Sequence, residues 1–254
     1  MFDLTGKIAV ITGGGSGIGK AVSILFARQG ARVHILDLNG AALEEVVRII
    51  GEEGGQAMPH QVDVSDQEAV AAVFGRMDKA DILVNSAGIS HIGKVETTLK
   101  EDFDRIYNVN VKGVYNTLQA AIPLMKKNKG GVILNLCSVA ALVGIPDRFA
   151  YSMSKGAVYA MTLSVARDYI QDNIRCNSIS PGRVHTPFVD GFLKKNYPGR
   201  EKEMFEKLSR TQPIGRMADP GEIAHLILYL CSDEASFITG TDYPIDGGFV
   251  KLNN

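Results

Sequence analysis

A tyrosine and a lysine stand four residues apart in the segment Tyr151-Ser152-Met153-Ser154-Lys155, near the start of a predicted long helix. Residues at this spacing lie on one helical face, so both side chains can point into the same pocket. A neighbouring ammonium group favours the phenolate form of a tyrosine, which makes Tyr151 a candidate general acid/base. A Tyr-x-x-x-Lys pair on its own is common, however, and usually belongs to a solvated helix face.

Ser138 follows an apolar segment, residues 131–136, that is predicted to be a strand. Ligands bind at the carboxyl edge of a doubly wound sheet, so the Ser138 hydroxyl is a candidate to hold a substrate oxygen. The alternative is that this serine only caps a helix or a turn.

A glycine-rich turn, Thr12-Gly13-Gly14-Gly15-Ser16-Gly17-Ile18-Gly19, lies between the first predicted strand and the first predicted helix. Glycine allows a ligand to approach the backbone closely, and the N-terminus of the helix offers free N–H groups to a pyrophosphate. The alternative is a flexible turn, but the position between strand and helix favours a dinucleotide site. The predicted contacts in this turn are Gly13, Ser16, Gly17, Ile18 and Gly19.

Asp37 ends the second predicted strand, 18 residues after Gly19. A carboxylate at this position can accept hydrogen bonds from both ribose hydroxyls of NAD and would repel the 2′-phosphate of NADP. No basic residue closely follows Asp37, and only Lys20 tempers the prediction. The cofactor predicted from these residues is NAD, while the alternative is an aspartate in a turn before Asn39-Gly40.

Short apolar strands alternate with helical patterns along the chain. This alternation predicts βαβ units and a doubly wound parallel sheet of the Rossmann type, with helices on both faces in three α/β/α layers. A capping box is predicted at Ser65 to Glu68, and Asp219-Pro220-Gly221-Glu222 is predicted to begin a further helix. The strands are predicted at residues 7–12, 32–36, 56–62, 81–84, 131–136 and 174–179, a helix at 41–50, and two long helices at 101–127 and 150–169.

The whole chain, residues 1–254, is predicted to be one domain. An excursion from it is predicted at about residues 187–216, where regular patterning weakens between Pro181 and Arg216.

The composition excludes several classes of protein. The chain has 27 Lys+Arg and 28 Asp+Glu, so it offers no electrostatic case for nucleic acid or an anionic membrane as a partner. Three widely spaced cysteines without a CxxC motif indicate neither a disulfide framework nor a zinc site, and no metal is predicted. The first residues do not resemble a secretory signal, and residues 130–146 are too polar and too short to cross a bilayer. We therefore expect a cytoplasmic protein with a small-molecule substrate.

Taken together, these motifs resemble the short-chain dehydrogenase/reductase family over nearly the whole chain, from Lys7 to Gly248. Departures from the family pattern are small: Ser86 replaces a common second asparagine, and Cys137 precedes Ser138. The residues that carry the resemblance are the glycine turn at 12–19, Asp63-Val64, Asn85-Ser86-Ala87-Gly88, Asn110, Ser138, Tyr151 and Lys155, Pro181-Gly182, Thr186-Pro187 and Ile245-Asp246-Gly247-Gly248.

The resemblance implies a role for each matching residue. Tyr151 would be the acid/base, Ser138 would orient the substrate oxygen, and Lys155 would bind the nicotinamide ribose. Asn110 would hold a water that links Lys155 to solvent. The remaining cofactor contacts implied are Asp63 and Val64 at the adenine, and Asn85, Ala87, Gly88, Pro181, Gly182, Val184 and Thr186. The family also implies a homotetramer that pairs the two long helices.

Arg148 is the one cation between Ser138 and Tyr151, and it lies three residues before Tyr151. An arginine near the reacting centre suits a carboxylate, so we expect a hydroxy acid or sugar acid as substrate. Its placement resembles that in family members acting on 3-hydroxybutyrate, and the segment from Arg183 to Pro187 resembles members that oxidise deoxy sugar acids. The alternative is that Arg148 is a solvated loop residue.

Three functions are therefore compatible with these residues. The first is an NAD-dependent oxidoreductase that interconverts a secondary alcohol and a ketone. The second is an NADP-dependent carbonyl or 3-oxoacyl reductase, and the third is a protein that senses NAD without turnover. His185 and His91 are further candidates for a substrate contact.

Overall fold

A parallel β-sheet forms the centre of the computed structural model, which describes residues 1–252 except for the side chains of residues 188, 195 and 196. The strands in this part of the chain are β1 (Ile8–Thr12), β2 (Arg32–Asp37), β3 (Gln56–Gln61), β4 (Ile82–Asn85), β5 (Gly131–Leu136), β6 (Ile174–Pro181) and β7 (Asp242–Ile245). Their order across the sheet is β3-β2-β1-β4-β5-β6-β7, and every neighbouring pair is parallel. The doubly wound α/β fold predicted from the sequence is confirmed.

Helices cover both faces of this sheet. They are α1 (Gly17–Arg28), α2 (Gly40–Glu52), α3 (Gln67–Phe74), α4 (Lys100–Ile106), α5 (Gly113–Lys127), α6 (Phe149–Asp168), α7 (Pro187–Asn196), α8 (Glu201–Ser209), α9 (Pro220–Cys231) and α10 (Phe249–Leu252). Helices α1, α2 and α9 pack on one face, in a cluster with Ile11 and Ile35. Helices α3, α5 and α6 pack on the other face, in a cluster with Val10 and Leu36. Successive residues of a strand thus pack on opposite faces of the sheet, because side chains alternate in direction along a β-strand.

The long helix predicted at residues 101–127 is divided by a π-helical turn. Helix α4 ends at Ile106, residues Tyr107–Lys112 form the π turn, and α5 follows from Gly113. A π turn adds a residue to the helical repeat, which sequence periodicity does not reveal. Asn110 is fully buried within this turn. Pro123 lies inside α5, as expected.

The start of α3 differs from the prediction by one residue. Asp66, rather than Ser65, is the N-cap, and its side chain accepts a hydrogen bond from the Ala69 N–H at 3.1 Å. The Ser65 hydroxyl instead donates to Asp63 Oδ1 at 2.7 Å. The prediction at α9 is confirmed, because the helix begins at Pro220 after Asp219 as N-cap.

Two features of the second half escaped the sequence prediction. Strand β7 is short and contains a proline, so it does not read as a strand; the Ser178 and Ser180 hydroxyls hold its Asp242 Oδ1 at 2.6 and 3.0 Å. The excursion after β6 contains two regular helices, α7 and α8. Among residues 1–252, no helix has the length and apolar character that a membrane crossing needs.

Candidate active site

A cleft of about 890 Å³ opens at the carboxyl ends of the central strands. It lies where strand order reverses between β1 and β4, the usual ligand position in such sheets. Eleven of the candidate site residues line it: Ile18, Gly88, His91, Ser138, Arg148, Tyr151, Lys155, Pro181, Gly182, Val184 and Thr186.

Ser138 enters this cleft from the end of β5. It precedes a short 3₁₀ turn, Val139–Ala141, and its Oγ accepts a hydrogen bond from the Ala140 N–H at 3.2 Å. The residue is buried, at 8% exposure. Ser138 therefore caps a turn and lines the cleft at the same time. Its hydroxyl proton is still available to a substrate oxygen.

Tyr151 and Lys155 lie one turn apart on α6, and both line the cleft. The Lys155 ammonium is 5.9 Å from the centroid of the Tyr151 ring and donates to the Leu136 carbonyl at 2.7 Å. Lys155 is buried, and no carboxylate of the described residues is in ion-pair contact with it. Its ammonium charge therefore lies between the Tyr151 ring and the Leu136 carbonyl without a carboxylate partner among these residues.

Asn110 is connected to this group through backbone and side-chain contacts. Its amide donates to the Ile89 carbonyl at 2.9 Å and to Ser154 Oγ at 3.0 Å, while its Oδ1 accepts from the Ile89 N–H at 2.8 Å. A Cβ added at Gly88 would lie 3.3 Å from Asn110 Oδ1 and 3.6 Å from Lys155 Nζ, so both polar atoms face the same small space. Both amide hydrogens of Asn110 and one lone pair of its Oδ1 are therefore used. The second lone pair of Oδ1 is the part of this side chain that can bind the predicted water.

The glycine turn joins β1 to the N-terminus of α1. Gly17 has a φ of +52°, and a Cβ there would approach Thr186 Cγ2 to 3.3 Å. The turn and the loop after β6 thus face each other across a narrow gap. Ser16 is the N-cap of α1 but makes no side-chain capping bond, and the first N–H groups of a helix lack intrahelical partners. These donors suit the pyrophosphate of a dinucleotide.

Asp37 ends β2 beside this turn. Its Oδ2 accepts a hydrogen bond from the Gly15 N–H at 2.9 Å, and its Oδ1 accepts from the Asn39 N–H at 3.0 Å. The two bonds fix the carboxylate at the edge of the turn. Lys20, which tempered the cofactor prediction, is paired with Glu45 at 2.6 Å.

The other predicted cofactor contacts lie along the same edge of the sheet. Asp63 and Val64 follow β3, and the Val64 carbonyl accepts from Asn116 Nδ2 at 2.8 Å. Asn85 ends β4 and is buried, whereas the Ala87 N–H donates to Thr12 Oγ1 at 3.1 Å. The positions outside the lining of the cleft are Gly13, Ser16, Gly17, Gly19, Asp37, Asp63, Val64, Asn85, Ala87 and Asn110.

The loop after β6 is held by Gln212, a buried glutamine that no sequence pattern selects. Gln212 Oε1 accepts from the Arg183 N–H at 2.6 Å, and its amide donates to the Arg216 carbonyl at 2.9 Å. Val184 pairs in an isolated bridge with Ala218. Gln212 lies 29 residues from Arg183, so only the tertiary fold reveals the contact.

Several charged side chains line the substrate side of the cleft. They are Arg105, Arg148 and Arg183, together with His91 and Asp102. His91 Nε2 lies 3.4 Å from Asp102 Oδ2, which places this histidine at the site. Burial raises the pKa of the Cys137 thiol to about 11, so this lining residue stays protonated near neutral pH.

His185 lies outside this cleft. It is exposed, its Nε2 is 2.9 Å from Asp190 Oδ1, and its ring meets Phe205 edge to face. It lines a separate cavity of about 420 Å³ with residues of α8 and the segment that follows.

Known proteins resemble this chain over almost its full length. A family model described as enoyl-(acyl carrier protein) reductase matches residues 13–250. Dehydrogenase/reductase SDR family member 6 of Aquarana catesbeiana is 39% identical over 97% of this chain and 98% of its own length. The 2-keto-3-deoxy-L-fuconate dehydrogenase of Xanthomonas campestris pv. campestris is 36% identical over 97% of this chain and 81% of its own length.

Solved structures agree with these relatives. L-sorbose reductase from Gluconobacter frateurii, complexed with NADPH and L-sorbose, matches with a TM-score of 0.93 and 31% identity over 98% of both chains. A 7α-hydroxysteroid dehydrogenase complexed with NADH and 7-oxo glycochenodeoxycholic acid matches with a TM-score of 0.88 and 36% identity, over 100% of this chain and 98% of its own. The protein therefore belongs to the short-chain dehydrogenase/reductase family and is an oxidoreductase.

Proposed function

We propose that this protein is an NAD-dependent oxidoreductase that interconverts a secondary alcohol and a ketone on a carboxylate-bearing substrate. The observation that carries the reaction is the convergence of Ser138, Tyr151 and Lys155 in one cleft beside the glycine turn. This set provides a hydroxyl to hold an oxygen, a phenol to exchange a proton, and an ammonium to favour the phenolate.

The choice of NAD rests on Asp37. Its carboxylate is fixed at the end of β2, and Lys20, the cation that tempers the choice, is paired with Glu45. A 2′-phosphate would therefore meet a negative charge without a compensating cation. The relatives leave both cofactors open, since one is complexed with NADPH and another with NADH.

The residues of the cleft suggest how the proton is handled. When bound, the nicotinamide cofactor supplies the acceptor or donor of hydride. In the oxidative direction, the Ser138 hydroxyl donates a hydrogen bond to the substrate oxygen while Tyr151 as phenolate removes the hydroxyl proton. Lys155 binds the nicotinamide ribose and stabilises the phenolate, and Asn110 holds the water through which the proton leaves. In the reductive direction, Tyr151 returns the proton to the carbonyl oxygen.

The predicted carboxylate site rests on Arg148. It precedes Tyr151 by one helical turn, is partly buried, and lines the cleft. Among the described residues its guanidinium donates to two carbonyls, those of His91 at 3.5 Å and Asp147 at 3.4 Å, and to no carboxylate, so its charge is available to a substrate anion. The relative named 2-keto-3-deoxy-L-fuconate dehydrogenase supports a sugar acid as one candidate.

Initial rates with NAD and NADP across 3-hydroxy acids, deoxy sugar acids, neutral sugars and simple secondary alcohols test this proposal. We expect turnover of acids with NAD, abolished in Tyr151→Phe and weakened for acids in Arg148→Met. Turnover of neutral alcohols alone would overturn the carboxylate site. Turnover with NADP alone would favour the carbonyl or 3-oxoacyl reductase, and NADH binding without any turnover would favour an NAD sensor.

We also propose a homotetramer that pairs the long helical faces. Tyr115 on α5 and Phe149 and Leu163 on α6 are exposed apolar side chains in this structure, which supports contact with another copy. Light scattering coupled to size-exclusion chromatography measures the mass directly. A monomer at micromolar concentration would contradict this part of the proposal.

A further inference from the structure

Two guanidinium groups from different elements line the substrate side of the cleft. Arg148 is the residue before α6, and Arg183 lies in the loop after β6. They are 35 positions apart in sequence, and the fold brings both into the cleft that Ser138 and Tyr151 also line. The site thus contains a second cation that the proposed function does not use.

Neither guanidinium forms an ion pair with any side chain that the structure describes. Arg148 donates to two carbonyls, and Arg183 Nε donates to Thr211 Oγ1 at 2.9 Å. Other arginines nearby are paired: Arg105 with Asp102 at 2.9 Å and Arg216 with Glu222 at 2.7 Å. Of the three arginines that line the cleft, Arg105 is thus paired, whereas Arg148 and Arg183 have no ion-pair partner among the described residues.

The backbone at each of the two arginines is held in place by hydrogen bonds. The Arg183 N–H donates to Gln212 Oε1 at 2.6 Å, and its carbonyl accepts from the Ala218 N–H at 2.9 Å. Arg148 forms a bridge with Gly93, whose carbonyl accepts from the Phe149 N–H at 3.1 Å. Both side chains therefore start from fixed positions, which reduces the entropy lost when they bind a ligand.

Their surroundings oppose the two charges. Burial lowers the pKa of Arg183, and the charge of Arg148 lowers it further. Burial likewise lowers the pKa of Arg148, although Tyr151, Asp147 and Tyr197 partly offset this effect. A partly buried pair of like charges that form no ion pair gains stability when anions bind.

We propose that the natural substrate is a hydroxy dicarboxylate, with Arg148 and Arg183 each binding one carboxylate. Two unpaired positive charges call for two negative charges, and the planar fork of arginine matches a carboxylate through two hydrogen bonds. This proposal rests on the proposed function, and it adds Arg183 as a residue that determines specificity. A single carboxylate shared by both arginines is the competing arrangement.

Matched substrate pairs measure the second charge. 3-Hydroxyglutarate and 3-hydroxyvalerate share the carbinol and one carboxylate and differ by a terminal carboxylate in place of a methyl group. Malate and 2-hydroxybutyrate form a second pair of the same kind. We expect wild-type kcat/KM to favour the diacid of at least one pair by about 10-fold or more, as one additional charge-assisted contact predicts.

Substitution of Arg183 should remove that preference. Arg183→Met and Arg183→Gln should lower kcat/KM for the diacid about 10-fold more than for its monoacid partner. Arg183→Gln keeps a hydrogen-bond donor and tests the charge if the methionine variant folds poorly. Arg210→Met, an exposed arginine at the end of α8, is the control and should leave the preference as in the wild type. An equal loss on both substrates would overturn the proposal in favour of a shared carboxylate, and no loss on either would assign Arg183 to Thr211 alone.

A binding experiment separates this proposal from the proposed function. Calorimetric titration of the protein with glutarate and with butyrate, in the presence of NADH, requires no turnover. Tighter binding of glutarate that depends on Arg183 would support the pair of arginines even if no hydroxy acid were oxidised. Oxidation of hydroxy monoacids without preference for either diacid, together with equal binding of glutarate and butyrate, would reject the pair and leave the proposed function standing.

Discussion

Asn85 Nδ2 donates a hydrogen bond to Asn135 Oδ1 at 2.8 Å, across paired positions of β4 and β5. Thr117 Oγ1 donates to Asn85 Oδ1 at 2.7 Å, and Asn135 Nδ2 donates to Thr162 Oγ1 at 2.9 Å. All four side chains are buried. This chain of hydrogen bonds ties α5 and α6 to the strands beneath the cleft. Helix α5 follows the π turn that contains Asn110, and α6 carries Tyr151.

Asn135→Ala should destabilise the protein by about 1–3 kcal/mol, because the buried Asn85 Nδ2 loses its acceptor and Thr162 Oγ1 loses a donor. The free energy of unfolding in urea measures the loss. Asn108→Ala, at an exposed position, is the control and should change stability by less than about 0.5 kcal/mol. Equal effects of the two substitutions would show that the buried chain adds no stability.

Tyr151→Phe should lower kcat by about 10²–10⁴-fold, because it removes the group that exchanges the proton. The affinity for NADH, followed by fluorescence, should change by less than about threefold, since the phenyl ring keeps the shape of the pocket. Tyr229→Phe removes a hydroxyl on the outer helix α9 and should leave kcat close to that of the wild type. Full activity in Tyr151→Phe would reject the assigned acid/base.

Asp37→Asn should shift cofactor preference toward NADP by about 10–100-fold in the ratio of kcat/KM values, because the charge that repels the 2′-phosphate is lost. The amide oxygen can still accept the hydrogen bond of the Gly15 N–H or the Asn39 N–H, so the turn should keep its shape. Glu45→Gln, which releases Lys20, should shift the preference in the same direction but less. An unchanged ratio in Asp37→Asn would show that this carboxylate does not meet the ribose.

Stability should decrease as the pH falls from about 6.5 toward 4, because of a stacked pair of histidines on β2 and β3. His34 Nδ1 and His60 Nε2 are 2.9 Å apart. Burial, His60 and Arg32 lower the pKa of His34 to about 4, and burial and Arg76 lower that of His60. The unfolded chain therefore binds protons in this range that the folded protein does not, which favours unfolding.

Melting temperatures measured between pH 7 and 4 check this sign. The double variant His34→Gln/His60→Gln removes the two imidazoles and should lose stability less steeply with falling pH than the wild type. An identical pH dependence in both proteins would place the effect in the carboxylates instead.

The sequence predicted the strands that form apolar runs, and it predicted the helix that carries Tyr151 and Lys155. These features depend on local periodicity, which a single chain displays. The π turn around Asn110 could not be predicted, because its stabilising contacts come from Ile89 and Ser154, 21 and 44 residues away. Strand β7 escaped for the same reason, since Asp242 is held by serines on β6.

The site residues that could be predicted are those identified by their spacing along the sequence and their position relative to the predicted strands and helices. Ser138, Tyr151 and Lys155 were selected by position and all reach one cleft. Arg183 lies beside the predicted cofactor segment and is therefore a candidate from sequence, but its lack of an ion-pair partner and its support by Gln212 arise only in three dimensions. His185 shows the converse, because its closeness in sequence to the cofactor segment did not bring it into the cleft.

The pairing of β6 with β7 has a consequence for biosynthesis. The Gly182 N–H donates to the Ile245 carbonyl at 3.0 Å, so the loop that carries Arg183 is anchored by residues made about 60 positions later. At roughly 5–20 residues per second, a ribosome needs about 3–12 s to supply that anchor. A nascent chain can therefore assemble its nucleotide-binding half early, yet it acquires a competent substrate pocket only after the final strand has been translated.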